Sequence, residues 1–150
     1  MDSTVKKLAE KINISGAVRI DEPMHLHTTF RIGGPADIYA APKTRDDLCS
    51  LLKLSSETGL PLQIIGGGAN ILVADEGIRG VVIDTSALNA INKVEGGIAA
   101  EAGSAISEVS EEAAKEALSG LEFIYSMPGS TGGAVWMNAR CYGASISDYI

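Results

Sequence analysis

Apolar residues recur along this chain at two spacings, and they divide it into alternating helices and strands. Val5, Leu8 and Ile12 share one side of a helix, with Ser3 or Thr4 placed to cap it and Gly16 near its end. That helix suits a docked lid and a structural cap equally. Asp37 to Ala41 reads as a strand ending at Pro42. Thr44-x-x-Asp47 is a near capping box, with Asp where Glu or Gln is usual, and it opens a helix carrying Leu48, Leu51, Leu52 and Leu54. Gly59 closes that helix, and Leu62 to Ile65 is the next strand. Strand, helix and strand with short connections predict a right-handed βαβ unit.

Beyond it, Ile71-Leu72-Val73 reads as a further strand, Asp75-Glu76-Gly77 as a turn and Gly80 to Asp84 as another strand. Ile91 to Val94 and Ile98 to Ala102 predict a hairpin across Glu95-Gly96-Gly97. A second amphipathic helix follows, with Ser104 as its cap. Ile106, Val109, Ala113, Ala117 and Leu118 form its apolar face, and Glu108, Glu111, Glu112 and Lys115 its wet one. Gly120 ends it, and Ser147 to Ile150 look like a strand beginning.

Composition changes this picture little. The 150 residues are 45% hydrophobic and 21% charged, ordinary for a globular domain with a real core. A net charge of −7 argues against nucleic acid as partner but leaves room for a small anion held by backbone N–H groups. Cys49 and Cys141 are too few for a disulfide framework or a zinc site, and Cys49 reads as a small packing residue within its helix. No apolar run approaches the roughly 20 residues that span a bilayer. The charged N-terminus lacks a signal core. A soluble, cytoplasmic protein without membrane contact is the expectation.

Two stretches carry the candidate chemistry. In Leu62 to Val73, an apolar run meets Gly66-Gly67-Gly68-Ala69-Asn70. Inward-turned N–H groups of such a loop make a concave anion site. No Gly-Lys-Ser/Thr follows, so it is no Walker A loop, and no helix-opening G-x-G-x-x-G is present, so it is no Rossmann fingerprint. A plain glycine-rich hairpin is the bland alternative. In Ile124 to Gly143, Pro128-Gly129 turns the chain and Ser130-Thr131 begin a short helix whose N–H groups favour an anion or a polarised carbonyl. Gly132-Gly133-Ala134 clear one face of side chains. Two bare surfaces suggest a long ligand with a phosphate and a planar part; tight backbone packing is the rival. His25 and His27 lack a third metal ligand, and Arg31 could hold a phosphate or be solvated.

With these stretches in hand, the chain resembles the UDP-N-acetylenolpyruvoylglucosamine reductase (UDP-N-acetylmuramate dehydrogenase) family of flavoenzymes. The resemblance is carried in order by His27-Thr28-Thr29-Phe30-Arg31-Ile32-Gly33-Gly34-Pro35-Ala36-Asp37, by Ile65 to Val73, and by Gly120-Leu121-Glu122-Phe123 through Tyr142-Gly143. It implies an α+β chain with the FAD-binding fold of the vanillyl-alcohol oxidase (PCMH) type, two α+β lobes with FAD between them. Residues 1–85 would form the first lobe and 86–150 the start of an incomplete second. Gly66, Gly67, Gly68, Ala69 and Asn70 would wrap the FAD pyrophosphate, with Leu72 alongside. Gly103 would lie near the cofactor. Pro128, Gly129, Ser130, Thr131, Gly132, Gly133 and Ala134 would line the flavin and its ribityl chain, and Asn138 and Tyr142 would face substrate. Arg140-Cys141 departs from the family, which more often shows Gly and a small residue there.

The implied activity is NADPH-dependent reduction of a UDP-sugar enolpyruvyl ether in peptidoglycan synthesis. The family's catalytic Ser, Arg and Glu, and its substrate domain, are expected beyond position 150. The chain then reads as an N-terminal piece, inactive alone and prone to self-association where the intact enzyme is monomeric. Another flavin oxidase or dehydrogenase of the same fold, or a non-catalytic FAD or nucleotide module, are the alternatives.

Overall fold

The computed structural model describes residues 3–150; the cap expected on Ser3 or Thr4 lies outside the described side chains. Helix α1 (Ser3–Ala9) is shorter than its apolar spacing predicts. The Lys11 N–H donates to Leu8 O at 3.0 Å and the Ile12 N–H to Ala9 O at 3.1 Å, the tighter turn that ends an α-helix. Val5, Leu8, Ile12 and Ile14 still pack on the sheet, so this segment is a structural cap.

The sheet holds β1 (Ala17–Pro23), β2 (Pro35–Ala41), β4 (Ile78–Asp84) and β3 (Leu62–Ile65), in that spatial order. β1 runs antiparallel to β2, whereas β4 is parallel to both β2 and β3. β2, helix α2 (Arg45–Thr58) and β3 therefore form the expected β–α–β succession, with β4 inserted between the two strands. β4 takes the central slot because Gly80 to Asp84 is buried throughout and Val81-Val82-Ile83 offers apolar side chains to both faces. On one face Ile38, Ala40, Val81 and Ile83 meet Leu51 of α2 and the α1 segment; on the other Tyr39, Val82 and Ile65 meet Met24 and Val73.

Capping of α2 follows the sequence only in part. Thr44 Oγ1 accepts the Asp47 N–H at 3.1 Å, and Gly59, at φ +68°, returns its N–H to Ser55 O. Asp47 shares its side chain between Thr44 and a more distant partner. Its carboxylate accepts Ser15 Oγ–H at 2.5 Å and the Ser15 N–H at 3.3 Å, tying the incoming segment to the helix start. Cys49 is exposed rather than packed, because the face of α2 that reaches the sheet runs through Leu48 and Leu51.

The expected strand Ile71 to Val73 does not form. Residues 66–77 cross from β3 to its parallel neighbour β4 as an irregular loop. Val73 is buried against Met24 and the backbone of Gly33, and Ala74 O accepts the Gly34 N–H at 2.9 Å. These packing contacts leave 71–73 without a strand partner.

The remaining residues build a smaller core. A hairpin of β5 (Ile91–Val94) and β6 (Gly97–Ala100) turns on Glu95-Gly96 and leads to α3 (Ile106–Lys115). Helix α4 (Thr131–Trp136) and a hairpin of β7 (Arg140–Cys141) and β8 (Ala144–Ser145) follow. Ile106, Phe123, Ile124, Ala134 and Ile146 form the core. Ser104 does not cap α3; Ala105 holds that position, and α3 ends before Ala117 and Leu118. The terminal strand is likewise replaced by a 3-10 turn over Ile146–Asp148, closed by reciprocal Ser145 and Asp148 bonds. Among the described residues no helix is long and apolar enough to cross a membrane.

Candidate cofactor site

The loop after β3 and the segment before α4 lie against each other. A Cβ on Gly66 would fall 1.9 Å from Ser130 Oγ, and one on Gly67 would lie 3.6 Å from the Gly129 Cα. Ala69 approaches Gly129 from the same side. The two glycine-rich stretches of the sequence therefore form one surface.

Their hydrogen bonding differs. At the start of α4 the Thr131 N–H donates to Ser104 O at 2.8 Å, the Gly132 N–H to Ala102 O at 2.8 Å and the Gly133 N–H to Ser130 Oγ at 3.2 Å. The anion or carbonyl expected at this helix start would find those groups committed. The Ser104 hydroxyl, 1% exposed, donates to Glu101 O at 2.7 Å and pairs with Thr131 Oγ1 at 2.8 Å. In the β3–β4 loop, by contrast, the N–H groups of Gly66, Gly67, Gly68, Ala69 and Asn70 have no protein acceptor among the described residues. Gly68 is buried, and a buried N–H without a partner costs free energy unless a ligand or water satisfies it. Five successive free donors fit a diphosphate.

The loop is held from both sides. The Thr29 N–H donates to Gly68 O at 3.1 Å, and the Thr29 hydroxyl reaches the same oxygen at 3.3 Å. Gly68 has φ +62°, and a Cβ there would meet His27 O at 2.1 Å, so only glycine fits. At the other end Thr85 donates to Ile65 O through both its N–H and its hydroxyl, each at 3.0 Å.

The other expected site residues divide by environment. Gly67, Asn70, Leu72, Pro128 and Gly133 are exposed, and Gly129, Thr131 and Gly132 half-buried. Ser130 is buried, and Ala134 packs into the smaller core. Gly103 sits against Thr85 O, which a Cβ would approach to 1.9 Å. Asn138 Oδ1 accepts the Ser147 N–H at 3.1 Å, while Tyr142, at the β7–β8 turn, is 95% exposed. Arg31, Arg140 and His25 are exposed, and no three potential metal ligands cluster among the described residues.

A buried polar network behind the loop was not foreseen. His27 Nε2 lies 2.9 Å from Glu22 Oε1, to which Arg19 also donates at 2.6 Å. The His27 ring stacks on Tyr39 at 4.2 Å, and the Tyr39 hydroxyl donates to Asp84 Oδ2 at 2.5 Å. Burial raises the Glu22 carboxyl, but the bonds from His27 and Arg19 outweigh it and leave the group below its usual range. Burial, then the Asp84 bond, pushes the Tyr39 phenol well above its ordinary value. The signal available in the sequence was the pairing of a histidine with inward-facing Tyr39 and Asp84 on strands that prove to be parallel neighbours.

The profile of the FAD binding domain family matches residues 36–150. The chain belongs to that family. This FAD binding domain is 41% identical over 146 residues to UDP-N-acetylenolpyruvoylglucosamine reductase of Caldanaerobacter subterraneus subsp. tengcongensis, covering 97% of this chain and 48% of that protein. The crystal structure of UDP-N-acetylenolpyruvylglucosamine reductase from Thermus caldophilus superposes with a TM-score of 0.69 at 30% identity, over 91% of this chain and 47% of that one. Alkyldihydroxyacetonephosphate synthase superposes with a TM-score of 0.70 at 17% identity, over 99% of this chain and 32% of that one, and so shares the fold. The fold is the FAD-binding fold of the vanillyl-alcohol oxidase type. The chain spans about half the length of the curated relatives it matches.

Proposed function

We propose that this chain is the FAD-holding portion of an NADPH-dependent reductase that converts UDP-N-acetylglucosamine enolpyruvate to UDP-N-acetylmuramate in peptidoglycan synthesis. One observation carries the reading: the five N–H groups of Gly66 to Asn70 have no protein acceptor among the described residues, on a loop packed against Gly129 and Ser130. In a chain 41% identical to such a reductase, a diphosphate on the first group and a flat ring against the second fit an extended dinucleotide.

The residues divide the work. Gly66, Gly67, Gly68, Ala69 and Asn70 bind the diphosphate through oriented dipoles, which a net charge of −7 elsewhere does not prevent. Pro128 to Ala134 leave room for a planar ring by lacking large side chains, Leu72 lies alongside the diphosphate, and Asn138 and Tyr142 face substrate. When bound, FAD supplies hydride transfer between NADPH and the enolpyruvyl double bond. The proton donor and the groups that steady the developing enolate charge come from outside these 150 residues, so this chain alone holds cofactor without turnover. Residues 1–85 and 86–150 act as the two lobes around it. The open two-stranded ladders of the second lobe favour self-association of this chain.

The test is the visible spectrum of the purified chain, with and without added FAD. A flavin spectrum, with FAD released on heating and no reduction of the enolpyruvyl substrate, is the expected result. A chain that takes up no flavin, or one that turns substrate over alone, would overturn the proposal. Sedimentation velocity at rising concentration checks the association; a monomer throughout removes it.

A further inference from the structure

His27 stands between the carboxylates of Glu22 and Asp84, with its ring nitrogens 2.9 Å from the first and 3.9 Å from the second. Tyr39 holds the ring face and Arg19 neutralises Glu22 from the open side. Glu22 and Asp84 are each 8% exposed, so these groups are costly to bury unless each serves another. An apolar cluster of the same volume would support the sheet as well, since buried ionic groups seldom add net stability.

The network does something an apolar cluster could not. It fixes the histidine whose own carbonyl oxygen abuts the Gly68 backbone, and Thr29, two residues on, bonds Gly68 O. Through Asp84 it also fixes Thr85, which bonds Ile65 O at the loop's other end. Both ends of Ile65 to Gly68 are thereby referred to one buried set of side chains.

We infer that His27 is a positioning residue for the phosphate-binding turn, acting through its carbonyl and Thr29 on Gly68. The inference rests on the assignment of Gly66 to Asn70 to the FAD diphosphate. His27 touches no reacting atom; it sets the direction of the N–H groups that do the binding.

The experiment is an FAD titration of the full chain, followed by flavin fluorescence, for the wild type, His27→Phe and His27→Gln. Phe keeps the stack on Tyr39 and loses both ring nitrogens, whereas Gln keeps an N–H donor for Glu22. Loss of the buried bond should raise the FAD Kd about tenfold in His27→Phe, with most of the affinity recovered in His27→Gln. Phosphorus NMR of FAD on His27→Phe should show displaced diphosphate resonances while the visible flavin bands stay in place. Wild-type affinity in His27→Phe, an equal loss in both variants, or a joint shift of diphosphate and flavin signals would overturn the inference alone. A wild-type chain that takes up no FAD would overturn the diphosphate assignment and this inference with it.

Discussion

The loop over Gly66 to Asn70 and the segment over Pro128 to Ala134 are alike in composition and opposite in bonding. In the first, the backbone donors are free, and Gly66 and Gly68 are pressed against protein. In the second, the helix-start donors are already bonded to Ala102, Ser104 and Ser130. Glycine thus does two jobs that sequence alone does not separate: it frees N–H groups for a ligand, and it lets two backbones touch. Only the destination of each N–H tells them apart.

Substitutions can break that contrast. Gly68→Ala should have the largest effect, about 3 kcal/mol of stability, because a Cβ meets His27 O and φ is positive. FAD affinity should fall with it; a variant of wild-type melting temperature and affinity would show that the turn is not built as described. Ser104→Ala should cost about 1 kcal/mol by chemical denaturation, since it removes a buried hydroxyl bonded to Glu101 O and Thr131. Its FAD affinity should fall less than that of Gly68→Ala, because Ser104 supports the bonded helix start and not the free loop. Gly59→Ala sharpens the comparison as a control. Nothing lies within 4 Å of its Cβ position, so the cost of about 1 kcal/mol is conformational only, and binding should not change.

The smallest effect is one of pH. Glu22 is held below its unfolded range, so its contribution is full above the ordinary carboxylate pKa and is lost as pH falls through the lower folded value. Denaturation midpoints should therefore drop as pH falls below the ordinary carboxylate range, and Glu22→Gln should flatten that part of the profile. An unchanged profile in the variant would remove Glu22 as the source.

Much of the framework was legible in the sequence because it rests on local signals. Thr44 and Gly59 bracket α2 as their chemistry requires, and Ile38, Val81 and Leu51 meet where alternation and helical spacing put them. Failures came where tertiary partners overrode local preference. Ile71 to Val73 have strand-forming side chains, yet Val73 is claimed by Met24 and Gly33. Asp47 and Ser104 look like local caps in the sequence, and each also bonds a residue far along the chain, Ser15 and Thr131. The Glu22–His27–Asp84 set left only a faint signal for the same reason: its members come from β1, the turn after it and the end of β4, with no shared spacing.

The β3–β4 crossover has one more consequence. Parallel neighbours are usually joined through a helix, which can form by itself. Here the joining segment has no repeating structure, and its supports lie 39 residues upstream at Thr29 and as far away as Ser130 downstream. Closing such distant contacts is entropically expensive and comes late in folding. Ligand capture by this chain is then a report on completed assembly: partly folded molecules have the glycines but no binding surface, and recovery of FAD affinity after refolding should trail recovery of secondary structure.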